Sequence, residues 1–137
     1  FYRDDGMAWM QLQPQELLAG VQVPVAKGWH SAYEKVRVRG SIDFALAGAA
    51  VALTRDGDQL AGLRVALTGV ASLPVLLEGL DALLGQALDD AARTRLGQIA
   101  DMAASTMRTT VADPLYRRGA ASVLATRLAR QLWEQAA

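Results

Sequence analysis

The sequence predicts an α+β fold, an antiparallel sheet of three to four strands covered on one face by three helices. Three observations carry this. Short β-like runs punctuated by Gly and Pro give way near Pro74 to long Ala/Leu-rich stretches at helical spacing. Arg55, Asp56, Gly57 and Asp58 form a hairpin signal between apolar runs. Asp113 followed by Pro114 pairs an N-cap with a first-turn proline ahead of the longest helical stripe. Strands in one half and helices in the other define a layer of helices on a sheet. The chain reads as a single domain, residues 1–73 mainly strands and residues 74–137 three helices, with no repeat, linker or low-complexity tract.

Taken in order, Leu17 to Val23, ending at Pro24, reads as a first strand, and Trp29 to Arg39 as a second, joined through a short loop from Pro24 to Gly28. Along the second run Ser31, Tyr33, Lys35, Arg37 and Arg39 share one face and Ala32, Val36 and Val38 the other, because strand side chains alternate. Ser41 to Thr54 is rich in alanine, which favours helix, yet it runs straight into the hairpin turn. A strand on one side of a tight hairpin needs a strand on the other. Beyond the turn Leu63, Val65 and Leu67 alternate with Arg64, Ala66 and Thr68, so both sides are assigned as strands. A helix is then expected from Pro74 to about Leu84, closed by Gly85, and a second from Asp89 and Asp90 to about Arg108. In the third, Ala120, Val123, Leu124, Leu128 and Leu132 form the core stripe, with Arg117, Arg118, Arg127, Arg130 and Glu134 mostly away from it.

Composition narrows the chemistry. At 137 residues with 52% hydrophobic and 20% charged residues, the chain can build a core and is too apolar for disorder. Fourteen basic residues balance fourteen acidic ones, so no net field gathers phosphates, which argues against nucleic-acid binding and an anionic membrane surface. No cysteine is present, which excludes disulfides, thiolate catalysis and cysteine metal sites, and a lone His30 is too few for a histidine site. No apolar stretch reaches membrane length, and no asparagine offers a glycosylation sequon. The opening Phe1 with Arg3, Asp4 and Asp5 resembles no targeting peptide. The chain is expected to be cytoplasmic and to be cut from a longer one.

Motifs are mostly absent: no Walker loop, dinucleotide fingerprint or nucleophile elbow occurs. His30 reads as a solvated or hydrogen-bonded strand histidine, the Asp4/Asp5 and Asp89/Asp90 pairs as turn and helix-start chemistry, and Trp9 and Trp133 as packing residues. The basic strand face of Lys35, Arg37 and Arg39 stays open between two readings. Charged side chains protect sheet edges from aggregation, and the same charges could equally serve a partner or ligand.

The stretch from Tyr33 to Ala45 resembles the Y-x-K-x-x-x-R-x-x-x-D-x-A segment of the flavoprotein (medium) subunits of molybdenum hydroxylases, such as carbon monoxide dehydrogenase, xanthine dehydrogenase and 4-hydroxybenzoyl-CoA reductase. Three further fragments lie in the same order. Pro14, Glu16, Leu17, Leu18, Val23 and Pro24 resemble its P-x-E-L-L…V-P strand. Leu67 to Ala71 with Pro74 resemble its G-G-V-A-x-x-P turn, closing on an L-L-G of Leu83, Leu84 and Gly85. Tyr116, Arg117 and Arg118 resemble the Y-R-R opening its last helix.

The resemblance implies the C-terminal domain of such a subunit, a small sheet with three helices that closes over the FAD ring and supports electron transfer between iron–sulfur clusters and an external acceptor or donor. Partners implied are the N-terminal FAD-binding domains of the same subunit and the iron–sulfur and molybdenum subunits. By motif position Leu18 and Lys35 border the flavin, with Arg39 and Asp43 beside them. An apolar side chain can pack on a flavin edge, and an ammonium can stabilise charge at its polar rim. Leu18 and Lys35 would then be neighbours on adjacent strands. The family's glycine-rich phosphate loops, A-G-G-x-S and T-x-G-G, do not occur here, and Leu76 and Leu77 stand where it usually carries an arginine. The alternative is a stand-alone α+β interaction or dimerisation domain without cofactor.

Overall fold

The computed structural model describes residues 1–136 except 25–26, 41, 106–107 and 109–110. A four-stranded antiparallel sheet runs in sequence order: β1 (His30–Val36), β2 (Ala47–Asp56), β3 (Gln59–Thr68) and β4 (Val75–Leu76). Two helices follow, α1 (Asp90–Ala103) and α2 (Pro114–Gln135). The expected hairpin forms: Asp56 pairs with Gln59, and Gly57 takes φ 54° in the two-residue turn between them. A non-glycine side chain is strained at that φ, so the turn chemistry, and not alanine propensity, decides the fate of the preceding segment. Period-two alternation does the rest. Ala47, Ala49, Val51 and Leu53 of β2 and Leu63, Val65 and Leu67 of β3 all point to one buried face.

That face is covered by the helices. Asp89 caps α1 by accepting the Ala92 amide at 2.8 Å, and Asp113 caps α2 by accepting the Leu115 amide at 2.8 Å. α2 lies against β2 and β1, and α1 packs on α2. Ala121, Ala125 and Ala129 recur every fourth residue on the buried side of α2 beside Leu124, Leu128 and Leu132. Small residues there bring the helix close to the alanine-rich β2. The helices meet at Gly97, whose carbonyl accepts the Ser122 hydroxyl at 2.8 Å; a Cβ at Gly97 would stand 3.2 Å from both Ser122 Oγ and Thr126 Cγ2.

Four expectations on individual elements need correction. Leu17 to Val23 is not a strand: it pairs with nothing among the described residues, and Leu17, Leu18, Val21 and Val23 are exposed. Two adjacent leucines already break the period-two pattern, and a strand exists only by its pairing. The expected helix from Pro74 to Leu84 is instead β4, which pairs Leu76 with Ala66, followed by a single 3-10 turn at Leu80–Leu83. The open edge of β3 offers Leu77 a hydrogen bond to the Val65 carbonyl at 2.8 Å, and Gly79 at φ 74° ends any helix four residues after Pro74. The helix expected to reach Arg108 ends at Ala103, and part of the remainder falls on residues 106–107, outside those described. In the last helix Val123 is exposed, whereas Arg117, placed away from the core, is buried and donates to the Gly69 carbonyl at 3.0 Å.

Asp101 of α1 bonds to the Arg118 guanidinium of α2, and that hydrogen bond, then the arginine's charge, holds its carboxyl below the usual carboxylate range. A depressed carboxylate stabilises above its unfolded pKa of about 3.9 and loses that contribution as pH falls through the folded value. Asp101→Asn is therefore expected to lower the urea midpoint modestly at pH 7, the pair being partly exposed, with the gap to wild type closing below about pH 4.

Candidate functional site

Opposite the helices, the other sheet face stays open. Directly opposed residues of antiparallel strands point the same way. Register therefore sets three rows across the sheet: Lys35, Gly48 and Thr68; Tyr33, Ala50, Ala66 and Leu76; Ser31, Ala52 and Arg64. Glycine and alanine make a flat floor. Tyr33, 55% exposed, and Leu76, 66% exposed, wall a shallow depression of about 400 Å³. Gly48 is needed here for a close approach, since a Cβ would come 2.5 Å from Thr68 Oγ1 and 2.9 Å from the Tyr33 hydroxyl. At the far end Trp29 lies on Gly62 with the Arg64 guanidinium 5.3 Å from its ring centre.

The near end carries the lysine. Lys35 is the last open-face residue of β1, because Glu34 turns the other way to meet Arg127 of α2 at 2.6 Å. From Val36 the chain leaves the sheet and returns at Leu46, whose amide donates to the Val36 carbonyl at 2.8 Å. Within this connection the Asp43 carboxylate accepts the Arg39 amide at 3.2 Å and the Phe44 amide at 3.0 Å, with Arg39 Nε 3.8 Å away. The Arg39 amide chiefly, aided by the Arg39 charge and the Phe44 amide, holds the Asp43 carboxyl below its ordinary range. Lys35 Nζ donates to the Asp43 carbonyl at 3.1 Å. Three of the four residues singled out from the sequence thus stand together. Val38, Ile42 and Phe44 project from the same connection into solvent.

Leu18 does not share this setting by the expected route. The register that would lay it beside Lys35 is not formed, since β1 pairs only with β2 among the described residues, and residues 25–26 of the intervening loop are outside them. Leu18 is instead one of several exposed apolar residues of a segment that precedes the sheet. His30 opens β1 and is exposed, Asp5 makes a turn by accepting the Met7 and Ala8 amides, and Trp133 packs against the core with Arg55 4.2 Å from its ring centre. Trp9 differs from the packing role expected, being half exposed and stacked on Tyr2.

Sequence reasoning named Arg117 in the Y-R-R fragment but set it away from the core and missed that it links two fragments. Gly69 sits at φ 74°, and a Cβ there would come 2.9 Å from the Ala45 carbonyl. Arg117 holds the Gly69 carbonyl from the other side. The Y-R-R helix start, the glycine turn after β3 and the return of the 37–46 connection are one packed unit. A buried arginine beside a positive-φ glycine carries no periodic signal.

Such a face offers positive charge, a small-residue floor and an aromatic wall, which suits holding the edge of a planar group or of another domain. Comparison with known proteins gives the architecture a family. The description "CO dehydrogenase flavoprotein C-terminal domain" matches residues 31–132. The carbon monoxide dehydrogenase medium chain of Afipia carboxidovorans is 36% identical over 98 residues, which are 70% of this chain and 34% of that one. The aldehyde oxidoreductase FAD-binding subunit PaoB of Escherichia coli is 37% identical over 114 residues, 83% of this chain and 33% of that one. Carbon monoxide dehydrogenase from Hydrogenophaga pseudoflava superposes with a TM-score of 0.76 at 30% identity, covering 82% of this chain and 39% of that chain. The fold also recurs in quinoline 2-oxidoreductase from Pseudomonas putida 86, with a TM-score of 0.76 at 20% identity over 83% of this chain and 40% of that one.

The chain belongs to the CO dehydrogenase flavoprotein C-terminal domain family, the C-terminal domain of FAD-binding subunits of molybdenum hydroxylases. It spans about a third of the length of the curated relatives it matches.

Proposed function

We propose that this chain serves as the C-terminal part of the FAD subunit of a molybdenum hydroxylase, closing over the flavin ring and supporting electron transfer between iron–sulfur clusters and an external acceptor or donor. The observation that carries the reading is the Lys35 ammonium at the end of an open sheet face, held by Asp43 within the family's Y-x-K…R…D motif. FAD supplies the electron-carrying ring when bound. The residues present suit its ring region, where Lys35 offers a positive charge at a polar rim and Arg39 and Asp43 the setting of the lysine, while the exposed Leu18 would add an apolar contact from the separate segment before the sheet. They do not suit its pyrophosphate, since both helix N-termini are already capped by Asp89 and Asp113. The phosphates are therefore held by the N-terminal domains of the same subunit, and the iron–sulfur and molybdenum subunits of a cytoplasmic complex complete the partners.

The test is a chimera in which residues 31–132 replace the matching third of the Hydrogenophaga pseudoflava medium chain. The chimera is expected to retain FAD, and Lys35→Ala within it to shift the flavin midpoint potential or weaken FAD retention while leaving the melting temperature nearly unchanged. An unaltered potential and FAD content in the Lys35→Ala chimera would return the lysine to the role of an edge charge.

A further inference from the structure

We propose that Asp43 is a positioning residue whose carboxylate sets the direction of its own peptide carbonyl and thereby holds the Lys35 ammonium at the end of the open sheet face. This rests on the reading of Lys35 as the charge that faces the flavin. The amide of Phe44 and the carbonyl of Asp43 belong to the same planar trans peptide, in which N–H and C=O point in opposite directions. Asp43 Oδ1 accepts that amide at 3.0 Å, so the carbonyl is turned away from the carboxylate and meets Lys35 Nζ at 3.1 Å. The second carboxylate oxygen accepts the Arg39 amide at 3.2 Å, anchoring the aspartate to the outgoing limb of the connection. One side chain therefore ties both limbs of the loop and aims the group that receives the lysine.

Arg39 Nε stands 3.8 Å from Asp43 Oδ1, and Lys35 reaches the carbonyl and not the carboxylate. Glu34 and Arg127 engage each other on the opposite sheet face. The Asp43 side chain is 19% exposed, so its two amide bonds are partly shielded from competing water. Lys35 carries a flexible four-carbon stem and is held only as well as its acceptor is held.

The chain contains only two lysines, Lys27 and Lys35, which permits an internal reference. A brief pulse of an amine-acylating ester on the purified 137-residue chain, read by peptide mass spectrometry, gives the Lys35 to Lys27 labelling ratio. An amine engaged by a carbonyl acylates more slowly than a free one. Asp43→Ala is expected to raise the ratio roughly two- to tenfold, the range that losing one net hydrogen bond supports. Asp43→Asn, which keeps the size and one acceptor oxygen, is expected to fall between, as partial rescue. Asp101→Asn, which loosens the helices instead, is expected to leave the ratio at its wild-type value. A ratio unchanged in Asp43→Asn and in folded Asp43→Ala overturns the proposal, as does an equal rise in Asp101→Asn. Because no flavin is present, failure here leaves the chimera result standing, and failure of Lys35→Ala in the chimera leaves the role of Asp43 standing.

Discussion

Leu124→Ala is expected to destabilise the chain by about 2–5 kcal/mol, the cost of removing a buried leucine and leaving a cavity. Leu76→Ala should cost well under that. Leu124 is 1% exposed, one helical turn from the buried Ala121 and Leu128, under the face where β2 presents Ala47, Ala49 and Val51. The alanines Ala121, Ala47 and Ala49 among its surroundings carry too little side chain to fill the vacated space. Leu76 is as large and as apolar, yet it stands 66% exposed on the open face and loses little contact on truncation. Denaturant midpoints at constant m-value measure both. Similar losses for the two variants would mean that the open face is packed in solution and that the sheet is covered on both sides.

The contrast between those leucines also shows what could be read from sequence and what could not. β2 and β3 were readable because Gly57 dictates a tight turn and alternation on either side does not depend on distant partners. The caps at Asp89 and Asp113 were readable because a cap is a local hydrogen bond. Local rules failed where a distant partner decides. Val75 and Leu76 follow a proline suited to a helix start, but the free edge of β3 captures them and Gly79 leaves no room for a helix. Leu17 to Val23 carries strand-forming residues, but no described strand pairs with it. The candidate site divides the same way. Lys35, Arg39 and Asp43 lie within nine residues of chain and were found together through one motif, whereas the unit of Gly69, Ala45 and Arg117 draws on three separated segments.

FAD is expected to bind the purified 137-residue chain no more tightly than about 0.1–1 mM, several orders of magnitude weaker than a flavoprotein that retains its cofactor through purification. The reason lies in the pyrophosphate. Holding it requires unpaired backbone amides, supplied by a helix N-terminus or a glycine-rich loop, with positive charge nearby. At α1 the Asp89 carboxylate already takes the Ala92 amide, and Asp90 adds a second negative charge in the first turn. At α2 the Asp113 carboxylate takes the Leu115 amide, and Pro114 has no amide to give. Both N-termini would repel a phosphate, and the net charge of zero supplies no compensating field. What remains is the shallow depression floored by alanines, with Arg64 in its wall and Lys35 one row beyond it on the open face, where two cations and small apolar contacts contribute only a few kcal/mol against the cost of immobilising a large ligand. Isothermal titration with FAD measures this directly, and lumiflavin, which lacks the phosphates, separates the two contributions. FAD and lumiflavin should bind with similar weakness; stoichiometric FAD binding in the micromolar range, far tighter than lumiflavin, would show that this chain holds a phosphate site of its own.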